Sequence, residues 1–297
     1  MKSVSRFAIA MSFAFHSGFS FAAASYLPIP AVAPSPKDNP STMAKIELGR
    51  LLFFDPRLSA SGTVSCNSCH NLMSGGDDSL STSVGVRGQT GKRSAPTVWN
   101  SGLLSSLFWD GRAASLEEQA KGPMVNAIEM GMSSHDVVVS RLQDIPGYVQ
   151  RFKKVYGGAN SVTIDHAAQA IAAFERTLVT PDSPFDRYIR GDKAALSQSA
   201  KNGLKIVEET GCVSCHQGVN FAGPSLPSGT GFFQKFPTFA SAYDERYRLA
   251  EDLGRFEATK NEADKHFWRV PTWRNVALTA PYFHNGSVAT LGEAVRV

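Results

Sequence analysis

The strongest constraint on this chain is the stretch Ser65-Cys66-Asn67-Ser68-Cys69-His70. Two cysteines three apart, with a histidine directly after the second, form an attachment motif for c-type haem. The spacing has a chemical basis. Each thiol adds to one porphyrin vinyl group, and the adjacent imidazole then lies beneath the iron as its proximal ligand. A second copy, Cys212-Val213-Ser214-Cys215-His216, lies far downstream, and the two copies use all four cysteines. A disulfide pair and a zinc site are the other uses of such residues. Zinc would need a closed set of four ligands, which one His after each Cys pair does not offer. A chain that seats two macrocycles is expected to use porphyrin for much of its core, and to depend on haem for a stable fold.

The 297 residues are enough for two domains of ordinary size. Lys2 and Arg6, the mostly apolar run Phe7 to Phe21 and Ala22-Ala23-Ala24 together form a secretory leader over residues 1–24. The run is short and interrupted by His16 and Gly18, so a membrane anchor is the weaker reading. Export agrees with the haem motifs, because c-type attachment takes place outside the bacterial cytoplasm. The formal net charge is +4, and two of those charges belong to the leader. What is left is too weak a bias to argue for nucleic acid or an anionic membrane as partner.

Leu27 to Pro40 is rich in Pro and Ala and reads as an extended lead-in. Thr42 then caps a helix predicted through Leu52, ending before Asp55-Pro56. Ser74 to Gly91 is a long Gly/Ser/Asp-rich loop, and long ordered loops tend to be functional. Ser115-Leu116-Glu117-Glu118 has a capping-box pattern, with Gly122-Pro123 expected to close the helix it opens. Ser134 caps another helix, broken near Pro146-Gly147. Ile164, Ala167, Ile171, Phe174 and Leu178 recur at helical spacing and define a buried face. Pro181 to Pro184 is the expected hinge between an N-terminal domain, 25–182, and a C-terminal domain, 183–297. A further helix runs from Ser197 to about Glu208. Phe221 to Phe239 reads as loop, and no alternating strand pattern is evident. The predicted fold class is therefore mainly α, with long loops and little strand.

The order of the motifs resembles the bacterial dihaem cytochrome c peroxidases and their MauG-type relatives. The matching stretches are Leu48 to Asp55, Ser65 to His70, Thr82 to Gly85, Ala95-Pro96-Thr97, Phe108 to Arg112, Glu118 to Ala120, Glu129 to Gly131 and Arg274 to Tyr282. The resemblance covers nearly all of the chain after the leader, and implies two cytochrome c-like domains that each hold one haem. It implies that Glu129 lies over the open face of the first haem. There it would move a proton from the inner to the outer oxygen of peroxide, which needs a carboxyl with a raised pKa. Gln119 would hydrogen-bond bound peroxide, Pro123 would wall the pocket, and Trp109 would relay electrons between the haems. Without the resemblance, Glu129 reads as a solvated carboxylate and Trp109 as a packing residue. Trp99, Trp268 and Trp273 are expected to pack, with Trp268 and Trp273 the candidates for electron entry at the surface. His135 and His166 read as ordinary helix-surface residues. His266 and His284 are expected near the second haem, as hydrogen-bonding groups and not as ligands.

Two positions depart from the family pattern. Many dihaem peroxidases carry, after the Thr-Ser-Val/Ile-Gly run, a His that ligates the first haem until the second is reduced. Val86 stands there and cannot bind iron, so the first haem is expected to be open. The family also implies an inter-haem calcium ion held by an Asn side chain and by the carbonyls of Thr279 and Pro281. The Asn position is Ser94 here, a shorter and weaker ligand. The resemblance further implies a Met, or in MauG-type proteins a Tyr, fourteen positions after His284 as sixth ligand of the second haem. That position follows Val297 directly, so a truncated form with an incompletely ligated second haem is expected. Met73, Met124, Met130 and Met132 precede the second motif and read as parts of the first domain.

The function this implies is a periplasmic peroxidase with two covalently bound haem c groups. It would reduce H₂O₂ with electrons from a small cytochrome c or a cupredoxin, and a homodimer is compatible with it. The alternatives are a MauG-like oxidase acting on side chains of a partner protein, and a plain dihaem electron carrier. A carrier fits poorly with an open haem beside Gln119 and Glu129, because carriers usually saturate both axial positions.

Overall fold

The computed structural model describes residues 26–297, so the leader over 1–24 lies outside the described residues. Its first helix, α1 (Met43–Phe54), starts where Thr42 accepts a hydrogen bond from the Lys45 N–H and runs two residues past the predicted end. The short α2 (Cys66–Cys69) carries the first cysteine pair, with His70 as its C-cap. Helix α3 (Leu116–Val125) corrects an expectation, because it continues through Gly122 and Pro123 instead of closing there. The clash that normally keeps the residue before proline out of a helix involves its Cβ, and Gly122 has none. Then come α4 (His135–Gln143), α5 (Pro146–Tyr156) with Pro146 as its first residue, and α6 (Ile164–Glu175).

The first half closes on side chains. Helices α1 and α6 cross so tightly that a Cβ on Gly49 would lie 1.8 Å from the Ala170 carbonyl oxygen. Leu48, Leu52, Phe53, Val138, Leu142, Phe152 and Ile171 are buried in one cluster around that crossing. In this half α1, α4, α5 and α6 each bring an apolar face of their own to the core. Met124, Met130 and Met132 belong to this cluster, whereas Met73 is 94% exposed.

Beyond Leu178 the chain changes character. The predicted hinge leads into α7 (Pro184–Ile189), opened by a reciprocal Ser183–Asp186 capping box. The buried Asp186 carboxylate pairs with Arg274 at 2.9 Å and accepts the Ile29 N–H at 3.2 Å, so the lead-in is tied to this half. The lead-in also meets the first half, where Ala33 N–H donates to the Arg176 carbonyl. Helix α8 (Gln198–Glu209) follows and buries none of its residues. Within the stretch expected to be loop lies β1 (Phe233–Lys235), antiparallel to β2 (Phe267–Arg269), with Gln234 opposite Trp268. Three-residue strands are too short to show an alternating pattern, which is why the sequence concealed them. Among the described residues of this half, the buried apolar side chains are few: a small group around Tyr247, Leu249 and Val288, with Trp268 of β2 and Val270 directly after it.

Candidate active site

A cavity of about 970 Å³ opens between the first half and the junction of the halves. Cys66, Cys69 and His70 line it together with Trp109, Gln119, Pro123 and Glu129, residues brought in from four separate stretches of sequence. The His70 Nδ1 bonds to the Pro96 carbonyl at 3.0 Å. That bond assigns the proton to Nδ1 and leaves Nε2 free as a ligand atom. Burial holds the imidazole below its ordinary pKa, so it stays neutral, as ligation requires. Burial also pushes the Cys66 thiol up to about 12. The four cysteines form no disulfide.

The second motif repeats the arrangement. His216 Nδ1 bonds to the Phe221 carbonyl at 3.0 Å, and burial lowers its pKa as well. Its ring stacks on Trp273 with centroids 4.0 Å apart. The surroundings differ, since Cys212 is exposed and Cys215 half-buried, and none of the three residues borders the large cavity. In both motifs, two thiols and an imidazole with a fixed tautomer fit covalent haem c.

Glu129 is placed by its backbone. Gly85 packs against the 128–129 peptide so closely that a Cβ would lie 1.9 Å from the Ile128 carbonyl oxygen. Val86 N–H donates to the Glu129 carbonyl at 2.9 Å. Asn126 Nδ2 donates to Glu129 Oε1 at 3.0 Å, and its own Oδ1 accepts the Ile128 N–H. Burial raises the Glu129 pKa, with nearby Arg112 pulling the other way. The side chain of Val86 turns from the cavity into the apolar cluster and is 2% exposed.

Trp109 is clamped on two sides. Its indole N–H donates to the Ser94 carbonyl at 2.8 Å, and its own carbonyl accepts the Arg269 N–H. Sequence reasoning missed Arg93, the centre of this junction. Its guanidinium pairs with Asp110 at 2.6 Å and Asp252 at 2.7 Å, and lies over the Trp268 ring. No spacing rule marks a lone arginine whose partners are 17 and 159 residues away. Asn126 was missed too, although an Asn three residues before a candidate carboxylate is a recognisable side-chain turn.

Other expectations are revised. Trp268 is 4% exposed, so it cannot meet a donor at the surface; it stacks on His284 at 4.0 Å. Trp99 packs against the first core as expected. His284 borders the large cavity with Nε2 unpartnered. His135 bonds to the Lys121 carbonyl, and His166 stacks on Tyr156 at 3.8 Å, so both are half-buried and engaged. Ser94 takes part mainly through its backbone, donating to the His284 carbonyl, while Thr279 and Pro281 lie outside the cavity lining. Among the described residues no group of three His, Cys, Asp or Glu side chains gathers to hold a metal ion.

Comparison with known proteins supplies the family. The signature described as di-haem cytochrome c peroxidase matches residues 43–194. The chain belongs to the di-haem cytochrome c peroxidase family. It is 48% identical over 269 residues to the cytochrome c551 peroxidase of Nitrosomonas europaea, covering 91% of this chain and 75% of that one. It is 45% identical over 278 residues to the Pseudomonas aeruginosa cytochrome c551 peroxidase, covering 93% and 78%. The methylamine utilization protein MauG of Methylorubrum extorquens is 38% identical over 90% of this chain and 71% of its own. Among solved structures, a MauG-like protein associated with microbial copper homeostasis superposes with a TM-score of 0.78 at 31% identity, covering 91% of this chain and 79% of that one.

Proposed function

We propose that this protein is a periplasmic dihaem peroxidase that reduces H₂O₂ to water with electrons from a small cytochrome c or cupredoxin. The domain division 25–182 and 183–297 then gives each half one haem c, attached at Cys66 and Cys69 over His70, and at Cys212 and Cys215 over His216. The bound haem supplies an iron that coordinates peroxide and exchanges electrons. The observation that carries the reading is a half-buried carboxyl with a raised pKa, Glu129, sharing one cavity with Gln119 and the first attachment motif.

In this reading Glu129 takes the proton from one peroxide oxygen and returns it to the other, so that the second leaves as water. Burial suits it to both halves of that exchange, because raising the carboxyl pKa makes the side chain a better proton acceptor while it remains able to give the proton back. The Asn126 amide holds one Glu129 oxygen and leaves the other for substrate. Gln119 orients peroxide through its side-chain amide, and Pro123 narrows the pocket without adding a competing donor. The clamped indole of Trp109 is the electron relay. With Val86 packed into the core, no side chain at that position competes for the open side of the pocket.

Stopped-flow mixing of the haem-loaded protein with H₂O₂, with and without a reduced cytochrome, tests the reading. Rapid turnover only with donor is expected. A spectral change that persists without donor, and is discharged by a partner protein's side chains, would move the assignment to a MauG-like oxidase. No reaction of the oxidised protein with peroxide would leave only the electron carrier.

A further inference from the structure

Reduction of one H₂O₂ to two waters consumes two electrons and two protons, in addition to the proton that moves within peroxide. Those protons must reach a walled pocket. A second carboxyl borders the same cavity, and the chemistry above does not use it. Glu175 is the last residue of α6, is 5% exposed, and has no hydrogen-bond partner for its Oε2. It lies in the cavity wall with Ile171, Ser101 and Leu104, near enough to Cys66 for its charge to act on that thiol.

The groups that could neutralise Glu175 are engaged elsewhere. The adjacent Arg176 pairs with Glu117 of α3 at 2.8 Å, and Glu117 also accepts from Asn39. From α1, the Lys45 amine is bonded to Asn39 Oδ1 and the Pro40 carbonyl. From α4, Arg141 turns to the carbonyls of Arg57 and Ser59, and His135 to that of Lys121. The remaining α3 charges, Glu118 and Lys121, pair with each other. A carboxylate at a helix C-terminus also meets the negative end of the macrodipole. Burial pushes the Glu175 pKa up to about 8, with Arg176 lowering it and Glu117 raising it further.

We propose that Glu175 is a second proton-holding site of the first haem pocket, taking up a proton when an electron enters that pocket and releasing it when the electron leaves. The proposal rests on the reading that the Cys66–His70 pocket holds haem c. In the oxidised pocket, whose positive charge favours the ionised form, the balance is one electron from the donor protein and one proton from solvent, which converts the Glu175 carboxylate to the acid. On oxidation that electron and proton pass to peroxide together with a second electron from the donor protein and a second proton from solvent, so that both oxygens leave as water. Loss of positive charge from the pocket on reduction favours the acid form, and its return favours the carboxylate.

The test uses the holoenzyme, with covalent haem on Cys66 and Cys69 first verified by mass spectrometry. Absence of that haem would overturn the haem reading itself, independently of Glu175. The midpoint potential of the first haem is then followed optically from about pH 6 to about pH 10, a range that brackets the Glu175 pKa. The potential is expected to fall with rising pH in the wild type and in Glu129→Gln, and to lose most of that slope in Glu175→Gln. The reduced-minus-oxidised infrared spectrum should show a protonated carboxyl gained on reduction, and Glu175→Gln should lack it. An unchanged slope in Glu175→Gln, or its loss in Glu129→Gln instead, overturns the proposal. If Glu175→Gln fails to take up haem, the wild type decides alone: a flat potential with no carboxyl gained on reduction overturns it.

Discussion

The two halves carry the same five-residue attachment motif in unlike surroundings. Around His70, the side chains of α1, α3 and α6 form a packed wall, and two carboxyls with raised pKa face the cavity. Around His216, Cys212 is exposed and α8 buries nothing. Both histidines nevertheless make the same Nδ1-to-carbonyl bond. The motif therefore fixes the imidazole, while the surroundings decide what chemistry can follow. A walled pocket with proton-carrying groups suits the breaking of an O–O bond. An exposed thioether edge suits exchange of electrons with another protein.

The largest effect is expected where this contrast is sharpest. Glu129→Gln should lower peroxide turnover by about 10²- to 10⁴-fold, the usual contribution of a positioned acid–base group. Haem content should not change, because glutamine keeps the size of the side chain and neither cysteine is altered. A loss smaller than about threefold would falsify the division of labour between the halves.

Next in size is the ion pair that anchors the second half to the lead-in. Burial raises the Asp186 carboxyl, but bonds from Ser183, the charge of Arg274 and the Ile29 N–H outweigh it and hold the pKa below the ordinary value. Its folded pKa is depressed, so its contribution to stability is fully present above the ordinary Asp pKa of about 3.9 and fades as pH falls through the lower folded value. Asp186→Asn leaves Arg274 buried without its partner and should cost about 3–5 kcal/mol at neutral pH. Denaturant unfolding should show that difference shrinking below about pH 4. A cost that is the same at acid and neutral pH would show that the pair is not its source.

The difference in cores predicts a third contrast. Leu52→Ala removes a fully buried side chain beside Phe53 and should cost about 2–5 kcal/mol. Ile206→Ser on α8, where the side chain is 58% exposed, should stay within about 0.5 kcal/mol. Comparable costs from urea unfolding would mean that α8 is covered in solution by something else.

The parts legible in the sequence were those governed by local rules. Thr42 and Ser134 each cap the helix expected of them, the helix expected from Ser197 begins directly after it, and Ala167, Ile171 and Phe174 face the core as their spacing requires. Both haem motifs were plain, because a covalent reaction dictates their spacing. What escaped depends on distant partners: Arg93 between Asp110 and Asp252, and Glu175 left alone because Arg176 turns to Glu117. Trp268 was misjudged because burial in a three-residue strand leaves no periodic trace.

The smallest predicted effect probes the same contrast through two equivalent caps. Thr42 Oγ1 accepts the Lys45 N–H at the start of α1, and Ser197 Oγ accepts the Ala200 N–H at the start of α8. Replacing such a cap with alanine typically costs about 1 kcal/mol. Helix α1 is packed against α6, so it cannot fray without opening the core. Thr42→Ala should therefore appear in global unfolding, with little change in local amide exchange. Helix α8 lacks buried residues, so its ends can open while the rest of the molecule stays folded. Ser197→Ala should leave the global midpoint nearly unchanged and speed hydrogen exchange of the α8 amides about fivefold, the factor that about 1 kcal/mol supplies when opening limits exchange. The opposite pattern, a global loss from Ser197→Ala with α8 exchange unaltered, would mean that the second half unfolds together with the first and that the two surroundings are not energetically separate.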